Sequence, residues 1–204
     1  MRTAVWLMAG FAAVVIAQDN KEWKPLFDGS TLKGWRQTEF TRHGAVSVAD
    51  GAITLAKGWM TGITWTEPFP HANYELRMEA MKVEGSDFFA GITFPVHDSF
   101  CTWINGGWGG MMVGLSSLDG NDASENETTS GKDFARSRWY ALRLRVTDER
   151  IEAWIDEQKV IDVNISGVEV GLRPGEIELS KPLGIASYNT TAKLRKIEYR
   201  LVTE

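Results

Sequence analysis

The sequence predicts an all-β protein, a sandwich or a barrel, and three observations support this fold class. Apolar and polar residues alternate with a period of two in several stretches, turn signals separate these stretches, and no window after residue 17 has the period of a long helix. Period-two alternation is typical of strands with one buried face and one face in water. Many short strands with regular turns indicate a sandwich or barrel.

The clearest strands are spread along the chain. Alternation covers residues 74–80, 140–147 and 197–201, and glycine-containing turn signals such as Asp28-Gly29 and Asp50-Gly51 lie between the predicted strands. These positions predict strands whose apolar residues face a common core.

Two connections have a distinct character. Residues 151–155 and 160–163 flank the polar stretch 156–159, which predicts a hairpin with its turn at 156–159. Residues 118–131 are rich in glycine, asparagine and serine and form the one long polar loop that the sequence predicts. Loops of this length in a compact domain are often functional or disordered.

The first residues predict export. Arg2 is followed by an apolar run over residues 4–16, then by the small Ala17 and a polar stretch, which is the pattern of a signal peptide over residues 1–17. A membrane anchor is the alternative, but the run of about 13 residues is shorter than the roughly 20 that span a bilayer. We expect a single domain over residues 18–204, periplasmic or extracellular, with no membrane span.

Composition narrows the classes of partner. The net charge is −5, and no basic run is present, which argues against a nucleic-acid partner. Cys101 is the only cysteine and cannot form an internal disulfide. It lies in an apolar stretch, so we expect a buried small hydrophobic residue rather than a nucleophile.

The long polar loop contains the first set of candidate site residues. Glu125 and Glu127 could act as a paired acid and base, as in ordinary glycoside hydrolysis, with Asn126 between them contacting substrate. Hard oxygen ligands for a divalent metal such as calcium come from the preceding turn: Asp119, Asn121 and Asp122. A solvated acidic loop with neither role is the third alternative.

A second candidate is the pair His97 and Asp98, which follows a predicted strand ending near Pro95. A histidine titrates near neutral pH, so His97 could serve as a general base or a metal ligand, with Asp98 orienting it. Neighbouring residues of a strand point to opposite faces, which weakens that pairing. A solvent-exposed loop histidine is the alternative.

Tryptophan is abundant, with nine residues in the chain. Tryptophan rings suit the apolar faces of sugars, but aromatic residues also fill sandwich cores. We expect Trp35 and Trp139 in the core. Trp108 lies between two pairs of glycines, which allow close approach of a ligand. Trp108 is therefore a candidate substrate contact, and Trp103 is a second one.

Several of these segments also carry a family resemblance. The stretch 25–35, PLFDGSTLKGW, resembles the "LFDG-x-TL-x-GW" opening of the 3-keto-disaccharide hydrolase domain family, which has also been labelled family-16-like glycoside hydrolase. Weaker similarities follow in the same order along the chain: 48–53, 74–77, 139–140, 151–156, 182–186 and 194–201. The resemblance implies a concanavalin-A-like jelly roll, a sandwich of two antiparallel sheets, with carbohydrate as the ligand.

The resemblance also implies a chemistry. A ketone at C3 of a sugar acidifies the C2 hydrogen, so a base can remove that proton and the enolate can expel the aglycone from C1. Such a reaction needs a base, a group or metal that stabilises the enolate, and an acid for the leaving oxygen. Residues 86–99 differ from the "G-N-S-G-I-F-x-R" strand usual in the family.

Two functions from different classes follow from these observations. The first is a hydrolase or lyase that cleaves a 3-keto glycoside, and the alternative is a non-catalytic carbohydrate-binding jelly roll. A laminin-G-like adhesion module is a weaker third possibility. Jelly rolls host enzymes and binding modules alike, so the fold does not decide among them.

Overall fold

The computed structural model describes residues 22–203, and the predicted signal peptide lies outside the described residues. Fifteen strands and one short 3-10 helix make up its regular structure. The strands are β1 (Lys24–Pro25), β2 (Trp35–Gln37), β3 (Val46–Ala49), β4 (Ala52–Leu55), β5 (Met60–Trp65), β6 (Tyr74–Gly85), β7 (Ala90–Val96), β8 (Ser99–Gly107), β9 (Met112–Ser116), β10 (Ser130–Gly131), β11 (Trp139–Val146), β12 (Arg150–Ile155), β13 (Gln158–Asn164), β14 (Gly184–Tyr188) and β15 (Thr190–Leu201). The 3-10 helix covers Glu176–Ser180. Within this part of the chain, no helix is long and apolar enough to cross a membrane.

The strands form two sheets in which every pairing between strands is antiparallel. The eight-stranded sheet has the order β13-β12-β11-β6-β15-β4-β3, with β1 added to β15. The seven-stranded sheet has the order β10-β9-β8-β7-β14-β5-β2. Neighbours in each sheet are often distant in sequence, as expected for a jelly roll. The predicted all-β sandwich of two antiparallel sheets is confirmed.

One hydrophobic core lies between the two sheets. Tyr74, Leu76 and Met78 of β6 face it from the eight-stranded sheet, and Ile92 and Phe94 of β7 face it from the other sheet. The alternation in the sequence thus marks the inner face, as predicted for 74–80 and 140–147. Full burial of an aliphatic or aromatic side chain contributes about 1.5–3 kcal/mol, so each residue on this inner face adds to the stability of the fold.

The predicted hairpin exists, but its turn is shorter than expected. β12 ends at Ile155 and β13 begins at Gln158, so only Asp156 and Glu157 lie between the strands. Gln158 and Lys159 are polar because they are exposed residues of an edge strand. Their polarity therefore reflects the solvent-facing surface of a strand and does not mark a turn.

Two tryptophans expected in the core have different positions. Trp35 is buried in the core, and its Nε1 donates a hydrogen bond to the carbonyl oxygen of Leu26 at 2.7 Å. Trp139 is only partly buried and lies outside the core, with the guanidinium of Arg195 4.0 Å from its ring centroid. The expectation for Trp139 was wrong because a tryptophan ring on an outer sheet face can be covered by an arginine.

The opening motif is a structural turn. The Asp28 carboxylate accepts hydrogen bonds from the Thr31 hydroxyl at 2.6 Å and from the amides of Ser30 and Thr31, each at 2.7 Å. The hydrogen bond from the Thr31 side chain is the main cause that lowers the pKa of Asp28 below its usual value. Leu26 and Phe27, just before this turn, are buried in the core. The motif therefore fixes the entry of the chain into the sandwich.

Cys101 is a buried residue, as the sequence predicted, and it makes stability sensitive to alkaline pH. Burial raises the pKa of its thiol from 9.0 to about 12. Burial also raises the pKa of Tyr74 above its usual value, and Cys101 adds to that effect. The folded chain holds these protons to higher pH than the unfolded chain. The contribution of the two groups to the free energy of unfolding is therefore fully present below about pH 9 and is lost as the pH rises above it.

We expect the free energy of unfolding to fall between pH 9 and 12, with about 4 kcal/mol of that fall coming from Cys101 over the whole interval. Urea unfolding at several pH values up to 11 measures the slope. Cys101→Ala should have a shallower slope, whatever its stability at neutral pH. Equal slopes for the two proteins would contradict this account.

Candidate functional site

A cavity of about 320 Å³ lies on the outer face of the seven-stranded sheet, opposite the core. Cys101 and Trp103 of β8 face the core, so the alternating Thr102 and Ile104 face outward. These two residues line the cavity together with Ser116 of β9. The remaining lining residues come from the ends of two other strands, from connections between strands, including the long polar loop, and from the segment 173–177.

Glycines of the sheet allow loops to lie directly on its outer face. A Cβ atom at Gly62 would lie 3.0 Å from the Phe40 ring, and one at Gly91 would lie 3.0 Å from the Phe88 ring. Likewise, a Cβ at Gly114 would lie 2.7 Å from the Ala123 carbonyl oxygen, and one at Gly184 would lie 2.6 Å from Ser180. The loops thus cover most of this face and leave the cavity between them.

Aromatic side chains form two walls of the cavity. Phe88 and Tyr188 stack on one side, with ring centroids 5.8 Å apart and an interplanar angle of 24°. Trp108 lies on another side, is 43% exposed, and has a φ of 46°. A positive φ is unusual for a bulky residue, and such strain is often found at functional sites. The prediction that Trp108 lies at a ligand site is consistent with this position.

A charged network borders the cavity next to Trp108. Arg173 Nη1 donates to Asp122 Oδ2 at 2.7 Å, and the Arg173 guanidinium lies 6.0 Å from the centroid of the Trp108 ring. Asp122 Oδ1 accepts from the Ser116 hydroxyl at 2.5 Å and from the Ala123 amide at 2.7 Å. Both oxygens of Asp122 therefore accept hydrogen bonds from other protein groups. Arg173 has further N–H donors that this ion pair does not use.

Asp119 fixes the segment that leads to Arg173. Its Oδ1 accepts a hydrogen bond from the Glu169 amide at 2.8 Å, and its own amide donates to the Glu169 carbonyl oxygen at 2.8 Å. Ser117 and Gly171 exchange two further backbone hydrogen bonds at 2.7 and 3.1 Å. The segment that carries Arg173 is thus attached to the polar loop.

Asp87 supplies a second carboxylate to the cavity, and this one is less fully bonded. Its Oδ1 accepts from the Phe88 amide at 2.8 Å, whereas its Oδ2 has only a longer contact of 3.4 Å with the Gly109 amide. Lys82 is buried nearby, behind the glycine-rich turn, where a Cβ at Gly110 would lie 2.7 Å from its Nζ. Burial lowers the pKa of Lys82, and the charge of Asp87 opposes that change.

Glu176 is the third carboxylate at the cavity, and it connects two loops. Its Oε1 and Oε2 each accept from the Thr41 amide at 3.1 Å, and the Thr41 hydroxyl also donates to Oε1. The loop between β2 and β3 is thereby joined to the wall of the cavity, and both oxygens of Glu176 are occupied.

His97 and Asp98 do not line the cavity. They form the turn before β8, and the nine residues of that strand separate them from Trp108, on the order of 30 Å. His97 Nε2 bonds to the Asp148 carbonyl oxygen at 2.9 Å, and the His97 amide donates to the His71 carbonyl oxygen at 2.8 Å. These contacts connect loops at that end of the sandwich, and Asp98 is exposed.

The loop residues predicted to act on substrate also lie outside the cavity lining. Glu125 and Glu127 are exposed. Asn126 is occupied within the loop: its Nδ2 donates to the Leu115 carbonyl oxygen at 2.7 Å, and its Oδ1 accepts from Thr128. It therefore fixes the loop shape.

The expectation that Trp103 contacts substrate was wrong. It is fully buried in the core between the sheets, on the face of β8 opposite the cavity, so it has no surface to offer a ligand.

The predicted calcium ligands do not converge. Asp119 is bonded to the Glu169 amide, Asp122 is paired with Arg173, and the Nδ2 of Asn121 points to the Asp119 carbonyl oxygen at 3.4 Å. Among residues 22–203, no group of three or more His, Cys, Asp or Glu side chains is arranged to hold a metal ion. The divalent-metal hypothesis has no support from this geometry.

Several cavity residues were missed by the sequence-based reasoning. Asp87, the pair Arg173 and Glu176, and Tyr188 lie on three separate segments that only the fold brings together. One local signal was available: Arg173 directly precedes the turn signal Pro174-Gly175, and residues next to such turns often lie at loop-built sites.

The fold is an antiparallel jelly-roll sandwich, which solved structures of a glycosyl hydrolase and of a carbohydrate-binding module share. More specifically, the model of the 3-keto-alpha-glucoside-1,2-lyase-like domain matches residues 22–200, and the chain belongs to this family. The family predicted from the opening motif is confirmed. No curated protein matches the sequence.

Three solved structures illustrate the similarity of fold. A putative glycosyl hydrolase from Parabacteroides distasonis is 14% identical, with a TM-score of 0.57 over 89% of this chain and 94% of that one. A carbohydrate-binding module from Bacillus subtilis is 12% identical, with a TM-score of 0.54 over 82% and 95%. A transglycosylase in complex with NAG is 12% identical, with a TM-score of 0.58 over 89% and 84%.

Proposed function

We propose that the cavity binds a 3-keto glycoside and that the protein cleaves its glycosidic bond by elimination. The observation that carries this proposal is the position of Asp87, a carboxylate with one weakly bonded oxygen, in a cavity that Trp108, Phe88 and Tyr188 line and Arg173 borders. Aromatic rings suit the apolar faces of a sugar. The carboxylate can serve as the base and the guanidinium as the group that stabilises the enolate in an elimination next to a ketone.

In the proposed reaction, Asp87 Oδ2 accepts the C2 proton, since the oxygens of Asp122 and Glu176 are already bonded. Negative charge then develops on the C3 oxygen, and Arg173 provides a fixed positive charge that stabilises it. The enolate electrons form the C1=C2 bond as the C1–O bond breaks, and the leaving oxygen takes the proton that Asp87 accepted, which regenerates the base. Addition of water across C1=C2 completes hydrolysis.

Arg173 is suited to this role because two contacts position its guanidinium. Asp122 binds it through Nη1, and it lies 6.0 Å from the centroid of the Trp108 ring, so its charge is held at the border of the cavity. Preorganised charge is effective because it needs no rearrangement when the transition state forms.

Non-catalytic carbohydrate binding is the second candidate, and one observation favours it. Among the three carboxylates of the cavity, Asp122 and Glu176 are fully occupied by protein donors, as in a rigid binding site. A binding module needs the aromatic walls and the donors of Arg173 but no free base.

Turnover of 3-keto-trehalose by purified residues 18–204, with and without EDTA, separates the two candidates. We expect release of glucose in both conditions and none from unmodified trehalose, because the elimination depends on the ketone. Binding of trehalose or 3-keto-trehalose without any release, measured by tryptophan fluorescence, would contradict the enzyme and favour the binding module.

Export of the chain is also part of the proposal, and it rests on the signal peptide predicted over residues 1–17.

A further inference from the structure

Trp59 extends the aromatic wall beyond the cavity. Its ring is 48% exposed and lies 5.3 Å from the ring of Tyr188, at an interplanar angle of 72°. Tyr188 itself lines the cavity, as does Met60, the residue after Trp59. Phe88, Tyr188 and Trp59 therefore form one continuous aromatic surface that leads from the cavity to its rim.

The backbone around Trp59 is held on two sides. The Trp59 amide donates to the Arg42 carbonyl oxygen at 2.9 Å, and the Asn189 amide donates to the Gly58 carbonyl oxygen at 3.1 Å. Gly58 packs so closely that a Cβ there would lie 2.3 Å from the Gly44 amide nitrogen. A ring that is both exposed and fixed in place loses little conformational entropy when a ligand contacts it.

Polar groups accompany this ring, as expected for a surface that binds a polar ligand. The Arg42 guanidinium lies 5.3 Å from the centroid of the Trp59 ring. The neighbouring Thr41 is bonded to Glu176 of the cavity wall, so Trp59, Arg42 and the cavity belong to one connected rim. Hydroxyl groups of a ligand lying on Trp59 would be within reach of a charged donor.

We propose that Trp59 is a subsite for a second sugar ring, on the leaving-group side of the glycosidic bond. This inference rests on the proposed function, since it places the 3-keto ring in the cavity. It assigns the contact with the aglycone ring to Trp59, because a small alcohol attached to the 3-keto ring would not reach from Tyr188 to Trp59, whose ring centroids are 5.3 Å apart.

The test compares a disaccharide with a small glycoside in the wild type and in Trp59→Ala. For 3-keto-trehalose, kcat/KM should fall about 10-fold in the variant, mostly through KM, as expected for loss of one stacked ring. For methyl 3-keto-α-glucoside it should change less than twofold. Trp59→Tyr should restore most of the loss, and Trp154→Ala, a partly buried tryptophan of the eight-stranded sheet, should change neither substrate.

Equal losses for the two substrates, or no loss for the disaccharide, would overturn the subsite. If the wild type turns over neither substrate, the proposed reaction fails, and affinity then tests Trp59. Isothermal titration with trehalose and glucose should give tighter binding of trehalose that Trp59→Ala removes selectively. Absence of trehalose binding, or no effect of the variant, would overturn the inference independently of catalysis.

Discussion

Replacing Asp87 with asparagine should lower kcat for 3-keto-trehalose by about 10²–10⁴-fold, the range typical for loss of a general base. The change keeps the size of the side chain and its hydrogen bond with the Phe88 amide, but it removes the proton acceptor at Oδ2. KM should change little, because the aromatic walls are intact. Steady-state kinetics with release of glucose as the readout measures both constants.

Asp133→Asn is the matched control for this variant, since Asp133 is exposed and does not line the cavity. It should have wild-type kinetics. Full activity of Asp87→Asn would show that another group is the base. Asp122→Asn and Glu176→Gln would then identify the acceptor, because these two residues are the other carboxylates of the cavity.

Replacing Arg173 with glutamine should lower kcat by about 10²-fold, because a preorganised positive charge next to the developing enolate is lost. The kcat of Arg173→Lys should lie between those of the wild type and Arg173→Gln, since lysine keeps the charge but lacks the planar group that pairs with Asp122. Measurements of kcat and KM on all three proteins test this order.

Thermal unfolding separates a catalytic from a structural role for Arg173. Its side chain is 62% exposed, so its ion pair with Asp122 is of the surface kind and contributes only about 0–1 kcal/mol. We therefore expect little change in Tm for Arg173→Gln. A large loss of Tm together with an unchanged kcat would contradict the proposed role.

The fold could be predicted from the sequence because the core residues alternate with polar residues along the strands, with a period of two. Leu76 and Leu142 face inward as their alternation requires, and they pack in the same core. The errors arose where polarity or ring size has two physical causes. Gln158 is polar because it lies on an exposed edge strand, and Trp139 is large and apolar yet lies under Arg195 on an outer face.

The candidate site could be predicted only in part. The sequence marked Trp108 through its flanking glycines and the region of Asp122 through its acidic composition, and both residues line the cavity. The roles suggested for the region of Asp122 differ from its contacts, because composition does not reveal that Arg173, 51 positions later, pairs with it. No local sequence pattern marks Asp87 as a site residue. Its Oδ2 contacts the Gly109 amide, which lies in the turn after β8, and only the fold brings that turn close to Asp87.

The four glycines on the outer face of the seven-stranded sheet have a consequence for how such proteins diversify. The rings of Phe40 and Phe88 lie on Gly62 and Gly91, and the chain at Ala123 and Ser180 lies directly on Gly114 and Gly184. The strands therefore determine where a loop contacts the sheet, whereas the other side chains of the loop determine what it presents to the cavity. We therefore expect that a different loop could occupy this face without repacking the core, provided that these four positions stay small.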